Sequence, residues 1–275
     1  MMLKKLIPLL LIPLLGMAQV HAADADKTIT IGVSPGPYGD MVKQAIKPEM
    51  AKKGYDVTVK EFSDYIQPNL ALSNKSIDAN LFQNRRYLDR FSADKGLKLA
   101  EVITVPTASM GFYSNKIHAL SELKEGDIVT LPNDPSNLAR SLEFLQKYGV
   151  IKVNPNVTPT KASLKDITEN PHGVVFKPLE AAQLPRALGG VTGSLINANF
   201  AISAGLNLAD AIQLDVLPED IKNMIVVRAE DADKPFAKAL KESVESPEFE
   251  AFFDRKDTMF TAFQKPEWMK ARHKP

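Results

Sequence analysis

From Thr28 to Val33 apolar and polar side chains alternate, the period of a half-buried strand, and Ser34-Pro-Gly-Pro37 punctuates a turn before a helical pattern through Met41, Val42, Ala45 and Ile46. Pro48 is expected to interrupt that helix and Gly54 to end it. Val57–Phe62 reads as a second strand, Asp64 and Tyr65 as loop, and Pro68 as the first turn of a short helix through Leu70 and Leu72. A third strand closes near Phe82 and passes at once into a charged helix beginning near Asn84. The order β-α-β-α-β predicts a parallel sheet with right-handed crossovers.

After strand-like Leu99–Val105 and Met110–Tyr113 the pattern restarts. Asp127–Leu131 is a strand, Asn133-Asp-Pro135 a helix start, and Leu138, Leu142 and Leu145 form one helical face ending at Gly149. Val174–Phe176, Ser194–Ile196 and Met224–Val227 supply further strands, with helical segments at 180–188 and 199–205 between them. The tail from Asp233 to Phe253 is helical and charged. Two successive α/β patterns without a Gly/Ser linker predict two lobes sharing a cleft, because ligand sites favour lobe interfaces and the carboxyl edges of sheets.

The N-terminus changes the picture. A positive start, an apolar run Leu6–Leu15 interrupted by Pro8 and Pro13, and a small-residue end at Ala22 read as a signal peptide over residues 1–22, too short to span a membrane. Net charge is +1, and no basic block interleaves with aromatics, so neither nucleic-acid binding nor a membrane anchor is expected. The chain has no cysteine, which removes disulfides, thiol nucleophiles and cysteine metal sites, and also the lipid-bearing cysteine of a bacterial lipoprotein.

Candidate chemistry narrows by elimination. Gly32-Val-Ser-Pro-Gly36 fits the G-x-S-x-G nucleophile elbow between a strand and a helix. Its oxyanion hole would use the N–H of the residue after the serine, and Pro35 has none. His118, His172 and His273 stand in loop or tail contexts, so a hydrolase using Ser34 is the lesser alternative. Glu61 and Asp64 are near enough in sequence to pair, yet nothing marks them as more than loop charges. No catalytic, metal or nucleotide-cofactor motif remains, and the protein is expected not to be an enzyme and to need no cofactor.

Two stretches carry a binding reading. Phe82, Asn84 and Tyr87 would share one strand-to-helix mouth. Asp134 and Pro135 suit a helix N-terminus, with Arg140 about one turn on, where its guanidinium fork suits a carboxylate. On their own, the aromatics read as well as core and Arg140 as a solvated charge.

Together Asp78–Gln83, Tyr113–Ile117, Asn133–Asn137 with Arg140, Leu179–Arg186, Ile196–Ala201 and Asn223–Arg228, in that order, resemble the methionine-binding NlpA lipoprotein family, the substrate-binding components of methionine ABC importers. The resemblance implies an α/β, type-II-like periplasmic binding protein: two lobes with mixed, largely parallel sheets and a hinge, residues 23–108 plus 225–275 forming one lobe and 109–224 the other. It places the amino-acid head group on Arg140, Asn137, Asn199 and Asn223, and the thioether tail on Tyr65, Phe82, Asn84 and Tyr87. Asn197 is the more structural of the neighbouring asparagines. The family usually has His at Asn84, Pro at Arg86 and, often, His at Tyr38. The implied function is periplasmic delivery of L-methionine to importer membrane subunits by an unanchored monomer in a Gram-negative envelope. D-methionine, a methionine-containing dipeptide or another amino acid are the alternative ligands.

Overall fold

The computed structural model describes residues 27–256 and 258–272, so the expected signal peptide and His273 lie outside the described residues. β1 (Thr28–Val33) pairs in parallel with β2 (Asp56–Glu61) on one side and β3 (Ala79–Asn84) on the other. The connections are α1 (Pro37–Met41) and α2 (Lys47–Lys52), joined by a π-helical turn at Val42–Ile46, followed by α3 (Gln67–Ser73) and α4 (Arg85–Lys95). The π turn explains why Pro48 does not break the run. A proline lacks the N–H for the preceding turn and clashes with the carbonyl four residues back, and the wider turn before it accommodates both defects. β4 (Leu99–Thr104) completes the edge of the sheet.

The first sheet receives its last strand from far along the chain. β12 (Asn223–Arg228) inserts between β3 and β4, antiparallel to both, in the order β2-β1-β3-β12-β4. The second sheet runs β11 (Gln213–Leu214), β5 (Gly111–Tyr113), β10 (Gly193–Ile196), β6 (Ile128–Pro132) and β9 (Val175–Leu179). β6 is parallel to β9 and β10, whereas β5 is antiparallel to β10 and β11. β7 (Lys152–Val153) and β8 (Ile167–Glu169) pair separately. This lobe carries α5 (Pro135–Lys147), α6 (Leu184–Ala187) and α7 (Ala198–Ser203); the charged tail splits at Pro247 into α8 (Pro235–Val244) and α9 (Pro247–Phe253), followed by α10 (Glu267–Ala271).

The chain therefore crosses between the sheets at 105–110 and at 215–222. Each sheet has its own apolar core: Ile31, Val33, Leu81 and Ile225 pack against Met41, Ile46, Leu240 and Phe249 in the first, and Phe112, Val129, Leu131 and Leu195 against Leu142 and Leu145 in the second. A third cluster belongs to neither. Tyr65, Phe82 and Tyr87 of the first lobe pack there with Tyr113, Leu184, Ile196 and Phe200 of the second. Apolar area removed from water across this seam holds the lobes together.

Candidate functional site

The seam contains a cleft lined by all eight residues singled out from the sequence: Tyr65, Phe82, Asn84, Tyr87, Asn137, Arg140, Asn199 and Asn223. Tyr38, Gln83, Thr107, Ala108, Asn197 and Ala198 complete its wall. The space open to the centre of a water molecule is about 30 Å³.

One wall is aromatic and is made by the β3–α4 junction. Asn84 ends β3 and caps α4, its Oδ1 accepting from Tyr87 N at 3.0 Å, the bond that satisfies an otherwise orphaned N–H of a helix start. Strand alternation places Phe82 on the same face as Asn84, and the cap fixes Tyr87 beside them. Ring centroids lie 5.8 Å apart for Tyr65 and Phe82, 5.9 Å for Tyr65 and Tyr87, and 5.7 Å for Phe82 and Tyr87. The Tyr87 hydroxyl donates to Tyr65 O at 2.8 Å, and the Tyr65 hydroxyl crosses to Asn199 Oδ1 at 2.6 Å. Burial pushes the Tyr38, Tyr65 and Tyr87 hydroxyls well above the ordinary tyrosine range, so all three are neutral donors at physiological pH.

The opposite wall is polar and begins at the N-terminus of α5. Asp134 caps the helix, accepting from Asn137 N at 2.9 Å, and Pro135 follows at a position that needs no N–H. The Asn137 side chain also donates to Asp134, at 3.0 and 3.2 Å, and accepts from Asn197 Nδ2 at 3.0 Å. The chain of amides ends at Asn197 Oδ1, which is buried without a partner. Burial raises the Asp134 carboxyl above its usual range, against the opposing effects of its Asn137 and Ser136 hydrogen bonds and of Arg140.

Arg140 is not a solvated charge. Its guanidinium meets Asp215 Oδ2 through Nε at 2.7 Å and Nη2 at 2.6 Å, and both side chains are about nine-tenths buried. Asp215 lies in the second crossover, distant in sequence, and nothing in the helix signature of α5 points to it. Burial raises its carboxyl too, with Arg140 opposing. Asn223, the first residue of β12, donates from its side chain to Phe82 O at 3.2 Å, while its N–H goes to Thr107 Oγ1 at 2.8 Å. Asn199 Nδ2 reaches Pro35 O at 3.5 Å. Asn197, read from the sequence as structural, therefore both orders Asn137 and lines the cleft while carrying an unpartnered Oδ1.

Among the described residues no histidine partners the nucleophile-elbow serine. Ser34 is fully buried with Oγ unpartnered, His172 Nδ1 lies 2.9 Å from Leu123 O, and His118 is exposed. Asp64 caps a turn through Ile66 N and Gln67 N, at 2.7 and 2.8 Å. Among the described residues no group of three or more His, Cys, Asp or Glu is placed to hold a metal ion, and no helix is long and apolar enough to cross a membrane.

Two mixed sheets joined by two crossovers around a half-polar, half-aromatic cleft define a two-lobed periplasmic binding protein of the α/β class. The family model described as NlpA lipoprotein matches residues 29–268, and the chain belongs to that family. It is 40% identical over 223 residues to the D-methionine-binding lipoprotein MetQ of Salmonella typhi, covering 80% of this chain and 82% of the relative. A nutrient binding protein from Burkholderia cenocepacia bound to methionine superposes with a TM-score of 0.79 at 38% identity, over 83% of this chain and 96% of that one. A periplasmic substrate-binding protein of an ABC transporter from Coxiella burnetii gives 0.76 at 35% identity, over 81% and 94%.

Proposed function

We propose that the protein is the exported solute receptor of an ABC importer and that it binds methionine, or an amino acid very close to it, between its lobes. The observation that carries this reading is the two-sided cleft, with the Arg140 guanidinium and the unpartnered Asn197 carbonyl on one wall and the Tyr65, Phe82 and Tyr87 rings on the other. A zwitterion with an apolar tail matches both walls.

In this reading Arg140 receives the carboxylate, its fork remaining anchored behind by Asp215. The ammonium donates to asparagine carbonyls, Asn197 Oδ1 first, and the buried Asp134 charge behind Asn137 polarises that acceptor. Asn199 and Asn223 complete the head-group shell. The rings of Tyr65, Phe82 and Tyr87, with the Asn84 amide, take the tail, where sulfur–aromatic contacts are worth roughly 0.3–1.5 kcal/mol. The cleft is too tight in this closed arrangement for an amino acid to enter, so the lobes must part and close again, with the crossovers at 105–110 and 215–222 as the hinge. Ligand shifts that equilibrium only by its greater affinity for the closed form.

The protein acts as a carrier and not an enzyme, docking its closed form on importer membrane subunits. The same reading has it working as a monomer in the periplasm; the sequence holds no cysteine that could carry a lipid. Mass spectrometry of small molecules released from protein purified from the periplasm tests the ligand, followed by thermal shift with both methionine enantiomers, a methionine dipeptide and glutamine. The expected result is methionine released and the largest shift with methionine. Another released amino acid, together with no shift at millimolar methionine, would overturn the assignment.

A further inference from the structure

Arg86 stands two residues beyond Asn84, on the first turn of α4, and takes no part in lining the cleft. Its guanidinium instead reaches two carboxylates of different parts of the molecule. Nη1 donates to Glu143 Oε1 and Oε2 at 2.8 and 3.1 Å, while Nε donates to Asp220 Oδ2 at 2.6 Å and Nη2 to Asp220 Oδ1 at 3.4 Å. Glu143 lies on α5 of the second lobe, one turn beyond Arg140, and Asp220 lies in the second crossover. Both faces of the guanidinium fork are thus filled, and the Arg86 side chain is only 18% exposed.

Arg86 and Glu143 also line a second cavity of about 270 Å³, together with Asp215 and Val216, and Arg140 is the wall it shares with the ligand cleft. The helix that presents Arg140 to a ligand is therefore held from behind by a cation of the opposite lobe. Arg140 is pinned to the crossover by Asp215, and Arg86 is pinned to the same crossover by Asp220. Opening the lobes must separate Arg86 from Glu143.

We propose that Arg86 is a positioning residue for closure: by bridging Glu143 and Asp220 it latches the first lobe onto the helix that carries Arg140 and biases the protein towards its closed form before any ligand arrives. A contact made in only one of two states shifts their populations by its own free energy and is felt by the ligand as affinity. An ordinary surface ion pair contributes little because water and salt compete with it. This one is bidentate on one partner and doubly bonded to the other, and although Glu143 and Asp220 are 33% and 44% exposed the guanidinium between them is only 18% exposed, which reduces that competition without abolishing screening.

The test has two arms, of which only the first rests on methionine being the ligand. In stopped-flow binding with L-methionine, Arg86→Ala and Glu143→Ala should each release ligand about 3–10-fold faster, with the association rate within about twofold of wild type. Combining them should add little to either, since both remove one interaction, and Arg86→Glu/Glu143→Arg should recover part of the loss. In the second arm, dyes on cysteines introduced at exposed Lys95 and Lys177, in an otherwise cysteine-free chain, report lobe separation without ligand. Arg86→Ala should lower transfer efficiency at low salt to the value that wild type reaches at high salt. Unchanged transfer in Arg86→Ala overturns the latch whatever the ligand proves to be, as does an Arg86→Ala release rate equal to wild type if methionine binds.

Discussion

The Tyr65 hydroxyl of the first lobe donates to Asn199 Oδ1 of the second at 2.6 Å, so the aromatic wall of the cleft and its polar wall are joined by one hydrogen bond. The bond exists only while the lobes are together. Tyr65→Phe keeps the ring and removes the hydroxyl, leaving a buried acceptor unsatisfied at a cost of about 1–3 kcal/mol in the closed form. Methionine affinity should fall about 5–50-fold, mostly through faster release, while the ligand-free melting temperature changes little. Stopped-flow release and calorimetric melting check this.

Gly36 makes the same closure possible from the backbone side. Its φ is +98°, which side-chain-bearing residues rarely adopt, and a Cβ built there would lie 2.6 Å from Asn199 O. Gly36→Ala should therefore both strain the turn and hold the lobes apart. Small-angle scattering of the methionine-loaded variant should give a radius of gyration closer to that of ligand-free protein, with affinity down by about tenfold or more.

Asp134 poses a trade between stability and binding. Its carboxyl is raised by burial, so the folded state favours the protonated form, and the contribution to stability declines as pH rises from the unfolded value through the folded one. Wherever the carboxylate is ionised, its burial is a cost. Asp134→Asn retains a capping oxygen of equal quality and should raise the ligand-free melting temperature, while weakening methionine about 3–10-fold because the relay to Asn197 loses its charge. Melting curves at pH 4 and pH 7, paired with titrations, separate the two effects.

Lys222 precedes Asn223 in the second crossover, 1% exposed, and burial with Lys270 nearby lowers its ammonium to about 8. Between pH 8 and the unfolded value of 10.5 the unfolded chain holds a proton that the folded one has lost, so stability rises with pH across that window. Lys222→Met should abolish that rise and, at pH 7, stabilise the fold by about 1–3 kcal/mol. Urea titrations at pH 7 and 10 measure it.

Much of the fold was legible because its signals are local. The alternation in Thr28–Val33 and Val57–Phe62 and the Asp134-Pro135 start of α5 each specify an element without reference to the rest of the chain. What stayed hidden depends on partners distant in sequence. The resemblance assigns residues 225–275 to the first lobe, but the local pattern of Met224–Val227 does not say that β12 inserts between β3 and β4, antiparallel to both. The π turn that absorbs Pro48 is set by packing, since local rules give a break. At the site, the resemblance gathered eight residues onto one cleft, but the burial of Arg140 depends on Asp215, and the unpartnered acceptor of Asn197 exists only because Asn137 has spent its own groups on Asp134 and on the Asn197 amide. No spacing in the sequence encodes either.

Asp215 also determines how the head-group assignment is tested. Arg140→Ala alone would strand a buried carboxylate, a loss of about 3–5 kcal/mol, and would confuse unfolding with lost binding. Arg140→Met/Asp215→Asn removes the charges together. The most direct measurement is calorimetric titration of L-methionine into ligand-stripped residues 23–275, wild type beside this double variant, with folding of both verified by circular dichroism. The account predicts one site per wild-type chain with a Kd at or below about 1 μM and a loss of about 100-fold or more in the folded double variant. No heat from wild type at millimolar methionine, or equal affinity in the two proteins, would contradict it.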